Sequence, residues 1–202
     1  MKKERLQKYK VPALILLVIF AVYMLSFSTM VYHLNFWESL QEKNNVNLTL
    51  AHPLNVAIVD YFQNGDYKGL EYKSLTKKES EHMVDVKVRI QVVTMLSLLF
   101  SIASIILICR QKKDKINKIL LWSALGVWII PILLFFIPFE GLFMQFHNLF
   151  FSQGTFLFDW NSLLIRVYPE DFFRDFALEI VKRAYVGGAF LFIASLRVKK
   201  FK

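Results

Sequence analysis

Cysteine is almost absent from this sequence: Cys109 is the only one in 202 residues. A single thiol cannot form a disulfide within the chain. It adjoins Arg110 at the end of an apolar run, where a small interfacial residue is a simpler interpretation than a catalytic thiol. Glycine and proline are also scarce, at seven and five residues. No Pro-, Gly- or Ser-rich linker divides the chain into domains.

Charged residues are missing from three long stretches: Val11–Val31, Val92–Cys109 and Ile119–Phe139. About 18 uncharged residues already make a candidate for a helix that crosses a hydrocarbon core of about 30 Å. A fourth uncharged run, Ala184–Leu196, has only 13 residues. Its helix must therefore extend back through Lys182 and Arg183 if it is to span a membrane.

The basic residues are unevenly distributed. Three segments, 1–10, 110–118 and 197–202, hold 14 of the 25 Lys and Arg but only two of the 16 acidic residues. Loops rich in Lys and Arg remain on the cytoplasmic side of a membrane, which predicts both termini there. The net charge of +9 then reflects topology. We expect no nucleic-acid partner, because such proteins gather their charge on one basic face.

Two long segments connect the apolar stretches on the outer side. In the first, Val46–Leu50 alternates like a strand, Pro53–Gln63 reads as a short helix stopped by Asn64-Gly65, and Tyr67–Leu75 resembles a second strand. Loops of this length usually have a function. The pattern predicts a small mixed α/β cap.

The sequence therefore predicts an α-helical membrane protein with four transmembrane helices, cytoplasmic N and C termini and an extracellular α/β cap. The whole chain, 1–202, is expected to form a single integral membrane unit. The helices are expected at about 11–31, 77–109 (membrane part 91–109), 118–139 and 177–197, and the cap from residues 32–90 and 140–178.

A capping box precedes the second apolar stretch. In Thr76-Lys-Lys-Glu79 the hydroxyl and the carboxylate can satisfy each other's free backbone N–H groups, so a helix should begin there. This helix carries His82, Asp85 and Arg89 on one face, at i, i+3 and i+7. Asp85 could orient the His82 ring. His82 and Asp85 could instead be two ligands of a metal, but no second cluster of ligands accompanies them, so we expect no metal site.

The second outer segment is rich in aromatic residues. Residues 139–176 include 12 aromatics in 38 positions, twice the proportion of the whole chain. Phe139, Phe143, Phe146 and Phe150 recur at helical spacing, which predicts an amphipathic helix lying in the membrane interface. His147 lies at the edge of this stripe.

Most readable enzyme signatures are missing. The sequence has no Gly-x-Ser-x-Gly elbow, no glycine-rich phosphate loop, no His-Glu-x-x-His and no Cys-x-x-Cys. The apolar stretches also lack the ionisable residues that coupled carriers place near the bilayer midplane, although an uncharged pore remains open. All four histidines lie on the outer side. His33 and His52 are interpreted as structural. His82 and His147 could exchange protons near neutral pH, but His82 could equally be a polar residue on a half-solvated helix and His147 could make a structural hydrogen bond.

Three strings are similar to a known family: His82-Met-Val-Asp-Val-Lys87, Phe146-His147-Asn-Leu-Phe-Phe151 and Leu163-Leu-Ile-Arg-Val-Tyr-Pro-Glu-Asp-Phe-Phe173. Their order and their spacing relative to the apolar stretches resemble the bacterial lipoprotein intramolecular transacylase family. The resemblance covers most of the chain. It implies a membrane acyltransferase that moves the sn-2 acyl chain of a diacylglyceryl-cysteine lipoprotein to the cysteine α-amine, which gives a lyso-form lipoprotein.

This reaction suits two histidines, because the attacking amine must lose a proton and the departing glyceryl oxygen must gain one. The hypothesis is that His82 and His147 are catalytic and face one another between cap and membrane, with their individual roles open. Arg166 could stabilise the oxyanion, or instead pack or pair with Asp159. Further supporting or substrate-binding residues are expected at Asp85, Trp37, Tyr61, Phe146, Phe150, Phe151, Tyr168, Phe172 and Phe173.

The remaining expectations concern partners. No cofactor is expected; the partners would be a diacylated lipoprotein N-terminus and membrane lipids, and the chain would be a monomer of the bacterial cell membrane. The active site would lie where the extracellular cap meets the membrane. Two rival readings are a non-enzymatic membrane protein that binds a lipid or partner, and a small channel or carrier.

Overall fold

The computed structural model describes residues 2–65, 75–152 and 154–200. The chain divides into two compact units. We call them the spanning unit, which comprises Met1–Ser28, Val93–Phe136 and Ile180–Lys202, and the cap unit, which comprises Thr29–Val92 and Ile137–Glu179. The described residues form eight α-helices: α1 (Lys2–Ser28), α2 (Leu34–Lys43), α3 (Leu48–Asn64), α4 (Lys77–Cys109), α5 (Lys113–Leu134), α6 (Phe139–Phe150), α7 (Leu163–Val167) and α8 (Glu170–Lys200).

Three of the described helices are long and apolar enough to cross a membrane: Tyr9–Ser28 of α1, α4 and α5. The prediction of four such helices is wrong, because α8 does not reach this level of apolarity. Its uncharged run is 13 residues long, and Glu179, Lys182 and Arg183 precede it. The helix itself is continuous and has 31 residues, so its length is sufficient and its composition is not.

Polar side chains in the spanning unit bond to the backbones of neighbouring helices. The Tyr23 hydroxyl donates to the Val127 carbonyl at 2.6 Å. Trp128 and Tyr185 bond reciprocally: the indole Nε1 donates to the Tyr185 carbonyl at 3.2 Å, and the Tyr185 hydroxyl donates to the Trp128 carbonyl at 2.9 Å. Large apolar side chains such as Ile105 and Phe190 remain mostly exposed, as expected for surfaces that contact lipid.

The predicted mixed α/β cap is wrong, since the described residues of the cap unit form helices joined by irregular segments and include no strand. At the first predicted strand, the Asn47 side chain accepts a hydrogen bond from the Thr49 N–H at 2.9 Å and α3 begins at Leu48. Five alternating residues are too few to distinguish a strand from the start of a helix. Residues 67–74 of the second predicted strand lie outside the described residues. Gly65 ends α3 with a φ of 84°.

A buried polar network joins three parts of the cap unit. Gln41 of α2 and Asn55 of α3 exchange two amide hydrogen bonds, at 3.1 and 2.6 Å. Gln41 also donates to the Val167 carbonyl at 3.0 Å, and the Tyr168 hydroxyl donates to Asn55 Oδ1 at 2.6 Å. Both amide side chains are fully buried. The network therefore fixes α2 and α3 against the end of α7.

The capping box forms at the start of α4. The Thr76 N–H donates to Glu79 Oε2 at 2.7 Å, and the Glu79 N–H donates to the Thr76 hydroxyl at 3.2 Å. Glu79 Oε1 accepts from the Leu164 N–H at 3.0 Å, so this carboxylate also fixes the start of α7. From Lys77, α4 runs unbroken for 33 residues, and all of its charged residues precede Val92. The four turns before Val92 belong to the cap unit and position His82.

Candidate active site

His82 lies in the cap part of α4, about three turns before the uncharged run begins. Its side chain is buried and is enclosed by the rings of Phe151, at a centroid distance of 4.9 Å, and Phe158, at 5.3 Å. Its Nδ1 atom has no hydrogen-bond partner among the described residues. Leaving a buried donor or acceptor unpaired costs about 1–3 kcal/mol. Such an atom is suited to meet a bound ligand.

His147 lies in α6, at the place the aromatic stripe predicted. The ring centroids of His147 and His82 are 6.4 Å apart, and the ring planes differ by 21°. Nonbonded atoms touch at about 3.5–4.0 Å, so one small group can contact both rings. His147 Nδ1 lies 2.8 Å from the Phe143 carbonyl. Because a carbonyl can only accept, Nδ1 carries the proton, and Nε2 of the neutral ring has a free lone pair.

The surroundings disfavour the charged form of both imidazoles. Burial, with a smaller effect of the nearby His147, lowers the pKa of His82 to about 4. Burial also lowers the pKa of His147, although the hydrogen bond to the Phe143 carbonyl opposes this shift. Two neutral imidazoles are therefore expected near pH 7, each able to accept a proton.

Asp85 does not hydrogen-bond the unpaired Nδ1 of His82. It forms an ion pair with Arg89 of the same helix, at 3.3 Å. Arg89 Nε in turn donates to the Phe150 carbonyl at 3.0 Å, and its guanidinium lies 5.5 Å from the Phe151 ring centroid. Arg89 thus connects α4 to the end of α6. Asp85 orients this guanidinium instead of the His82 ring.

The aromatic residues predicted for the site fall into two groups. Phe151 contacts both histidines, with its ring centroid 4.9 Å from that of His82 and 5.4 Å from that of His147. Phe146 contacts His147, Phe146 and Phe150 contact each other, and both are about half exposed on α6. These three rings are the predicted residues that the structure brings to the histidine pair.

The second group belongs to the cap unit and is buried there, except for Phe173, which is 38% exposed. Phe173 contacts Phe143, which in turn contacts His147, and Phe172 is buried next to Phe173. Trp37 and Tyr168 meet edge to face, with centroids 5.8 Å apart. The backbone carbonyl of Tyr61 accepts a hydrogen bond from Lys87 at 2.7 Å. These residues support the fold around the pair.

Arg166 lies on the surface of α7, where it lines a cavity together with Asp159. No ion pair joins these two side chains in the part of the chain that the structure describes. His52, interpreted as structural, lies 2.6 Å from the Glu38 carboxylate through Nδ1 and is outside the histidine pair.

Sequence reasoning assigned no role in the site to Arg89, Phe143, Phe156 or Phe158. Phe143 could have been found, because it lies one turn before His147 on the same helix face. Phe156 contacts the His147 ring at 5.0 Å and Phe158 contacts His82. Both belong to an irregular segment, where no periodic pattern indicates the direction of a side chain.

These features define a class: an integral membrane protein whose cap carries two neighbouring histidines, one buried and one half-buried, surrounded by aromatic rings. The family model of the lipoprotein intramolecular transacylase Lit matches residues 10–173. The chain belongs to this family.

The fold has solved counterparts. The membrane integral lipoprotein intramolecular transacylase Lit from Bacillus cereus is 23% identical, with a TM-score of 0.73 over 98% of this chain and 97% of that one. A variant of that protein with one histidine replaced by arginine is 24% identical, with a TM-score of 0.68 over 99% and 97% of the two chains. An uncharacterized protein from Aquifex aeolicus (strain VF5) is 30% identical over 137 residues, and the chain spans 60% of its length.

Proposed function

We propose that this chain moves the sn-2 acyl chain of a diacylglyceryl-cysteine lipoprotein from the glyceryl oxygen to the cysteine α-amine. The product is a lyso-form lipoprotein with an N-acyl chain. The observation that supports this most strongly is the pair of imidazoles whose ring centroids are 6.4 Å apart, with His82 buried and His147 half-buried. In this reaction a C–N bond forms as a C–O bond breaks, the amine loses a proton and the glyceryl oxygen gains one. Acceptor and donor belong to one substrate molecule, so binding that molecule brings both reactants together.

His147 is the base in this proposal. Its Nδ1–H is held by the Phe143 carbonyl, which leaves the Nε2 lone pair to take the proton from the attacking amine. The same hydrogen bond favours the imidazolium that forms. A positioned base contributes on the order of 10² to 10⁴ in rate.

His82 then protonates the departing glyceryl oxygen. Its low pKa makes its imidazolium a strong proton donor, so the proton passes readily to an alkoxide. The unpaired Nδ1 atom is the position where the substrate contacts this ring. His82 is neutral at rest, so it first takes one proton from the ammonium form of the substrate amine; His147 releases the second amine proton to solvent, and both rings are then neutral again.

The aromatic enclosure limits the access of water to His82, which is 8% exposed. The rings of Phe151, Phe156 and Phe158 cover the two imidazoles. Exclusion of water matters here because the same base could activate a water molecule and hydrolyse the ester. The enclosure therefore favours acyl transfer to nitrogen over release of a free fatty acid.

The site is proposed to lie at the outer boundary of the membrane. Along α4, His82 precedes the uncharged run, and the basic segment 110–118 follows it at the opposite end. The positive-inside rule places that basic segment in the cytoplasm, and hence His82 on the outer side. Half-exposed Phe146 and Phe150 on α6 give an apolar surface by which a lipid substrate can approach.

Mass spectrometry of a lipoprotein N-terminus tests the proposal. The chain is expressed with a diacylated lipoprotein, and the N-terminal lipopeptide is compared for the wild type, His82→Ala and His147→Ala. The wild type should yield N-acyl, S-monoacylglyceryl cysteine, and each variant should lower the yield at least a hundredfold. His52→Ala, which alters a histidine outside the pair, should behave as the wild type. An unchanged diacylated N-terminus in the wild type would instead favour a non-enzymatic lipid-binding protein.

A further inference from the structure

A cavity of about 720 Å³ opens in the cap unit beside the histidine pair. Its volume lies within the range of about 300–1,000 Å³ that is usual for small-ligand sites. Apolar side chains of α3, including Leu50 and Leu54, form one wall. Lys78, Asn161 and Arg166 also line the cavity and form what we call its polar wall.

The cavity is next to the proposed active site. Lys78 lines the cavity and lies one helical turn before His82 on the same face of α4. Phe158 is shared, because its ring lines the cavity and also contacts the His82 ring with centroids 5.3 Å apart. The His82 ring is therefore one aromatic ring away from the lining of the cavity.

The position of the cavity along α4 matches the chemistry of a lipidated peptide. From His82, α4 leads in one direction to the uncharged run at Val92 and in the other to Lys78. Acyl chains are expected to follow the apolar direction. The polypeptide that continues from the cysteine is polar and is expected to leave in the opposite direction, where the cavity lies.

The polar wall is preformed. Glu79, which lines the cavity, is 1% exposed and accepts hydrogen bonds from the backbone N–H groups of Thr76 and Leu164. This carboxylate holds the start of α4 and the start of α7 together. Lys78 in turn donates to the Leu157 carbonyl of the irregular segment. A preformed site loses less conformational entropy on binding.

We propose that this cavity binds the polypeptide segment immediately following the lipidated cysteine, a role that rests on the proposed function. Lys78, Asn161 and Arg166 supply donors for the carbonyl groups of an extended chain, and Asp159 supplies an acceptor for its N–H groups. The cavity thereby distinguishes a lipoprotein from an ordinary diacylglycerol lipid. Arg166 acts here as a residue that binds the peptide.

The test compares two substrates with the full chain in detergent micelles. One is dipalmitoylglyceryl-cysteine followed by four small polar residues, and the other is dipalmitoylglyceryl-cysteine amide without a peptide. Equilibrium binding gives the ratio of the two dissociation constants, and product formation gives the ratio of the two KM values. The wild type should favour the longer substrate by about tenfold, which corresponds to about 1.4 kcal/mol.

Arg166→Gln and Lys78→Met should bring both ratios towards one. Lys77→Met and Arg174→Gln are matched controls, since they remove the same charges from exposed positions outside the cavity, and they should keep the tenfold preference. Equal affinities for the two substrates in the wild type would overturn the inference. So would a preference that follows anionic phospholipid in the micelle and not the peptide, because the cavity would then bind headgroups.

Failure of the proposed function has a different signature. If the wild type makes no N-acyl product from either substrate, the acyl transfer is refuted, while the binding ratio still decides whether the cavity holds the peptide. If product forms equally well from both substrates, acyl transfer stands and the peptide site is refuted.

Discussion

The spanning unit and the cap unit satisfy their buried polar groups in different ways. In the spanning unit, the side chains of Tyr23, Trp128 and Tyr185 donate to backbone carbonyls of neighbouring helices. In the cap unit, Gln41 and Asn55 bond mainly to each other's side chains. A backbone carbonyl is present at every residue, so the first kind of contact tolerates changes in its partner. The second kind requires two specific residues.

This contrast predicts that the largest loss of stability comes from breaking the amide pair of the cap. Asn55→Leu leaves the Gln41 amide and the Tyr168 hydroxyl without their partner in a buried position. Each unpaired group costs about 1–3 kcal/mol. The loss in the free energy of unfolding is measured in detergent by adding denaturant and monitoring hydrogen exchange of peptides from α2 and α3.

A surface asparagine of the same helix provides the control for Asn55→Leu. Asn64 is exposed, and Asn64→Leu should change stability by no more than about 0.5 kcal/mol. The double variant Gln41→Leu with Asn55→Leu should lose less than the two single losses added together, because the two amides no longer leave each other unpaired. Strict additivity would contradict the network.

A smaller loss is expected from crowding in the spanning unit. A Cβ atom at Gly188 would lie 2.6 Å from Nε1 of Trp128, the atom that donates to the Tyr185 carbonyl. Gly188→Ala must displace a rigid ring, and such overpacking costs about 1–3 kcal/mol. The thermal unfolding midpoint in detergent should fall, and the tryptophan emission should shift.

Gly141 is the matched control for Gly188. A Cβ atom at Gly141 would meet nothing within 4 Å, so Gly141→Ala should be neutral or should stabilise α6 by up to about 1 kcal/mol through better helix propensity. If Gly188→Ala and Gly141→Ala changed the thermal unfolding midpoint equally, the close contact of Gly188 with Trp128 would not limit the size of the side chain at position 188.

The same contrast explains what the sequence could predict. Long uncharged runs indicate membrane helices because lipid forces backbone groups to bond within each helix, and α1, α4 and α5 were found in this way. The uncharged run Ala184–Leu196 was too short for this rule, and α8 was wrongly counted as a fourth membrane-spanning helix. The cap depends on contacts between distant residues, such as Gln41 with Val167, and a pattern of five residues misassigned Val46–Leu50 as a strand.

The candidate site was predictable to a similar extent. His82 and His147 were singled out through the strings that resemble the family, because the residues alone left a structural role open for each; the capping box at Thr76 indicated where α4 begins. The contact of Asp85 with Arg89, and of Phe158 with His82, depends on how the irregular segment and α6 lie against α4. These contacts depend on the tertiary structure, and no periodic pattern in the sequence indicates them.

The smallest effect is expected from a pair of partly exposed charges in the cap unit. Asp175 accepts hydrogen bonds from Lys43 at 2.7 Å and Asn44 at 2.8 Å. Burial alone would raise the pKa of this carboxyl, but these two donors outweigh it and lower the pKa of Asp175 overall. Because Lys43 is 63% exposed, solvent screens the pair, and Asp175→Asn should cost no more than about 1 kcal/mol.

The lowered pKa of Asp175 determines how this stabilisation depends on pH. It is present above the ordinary aspartate pKa of about 3.9 and is lost as the pH falls through the lower pKa of the folded state. Hydrogen exchange of α2 and the first turns of α8 should therefore show a gap between wild type and variant at pH 7 that closes in acid, whereas Asp171→Asn, at an exposed pair with Arg174, should show almost none. If the difference in exchange protection between wild type and Asp175→Asn instead increased in acid, the carboxyl would be stabilised in its protonated form. The contact with Lys43 would then not hold α2 against α8.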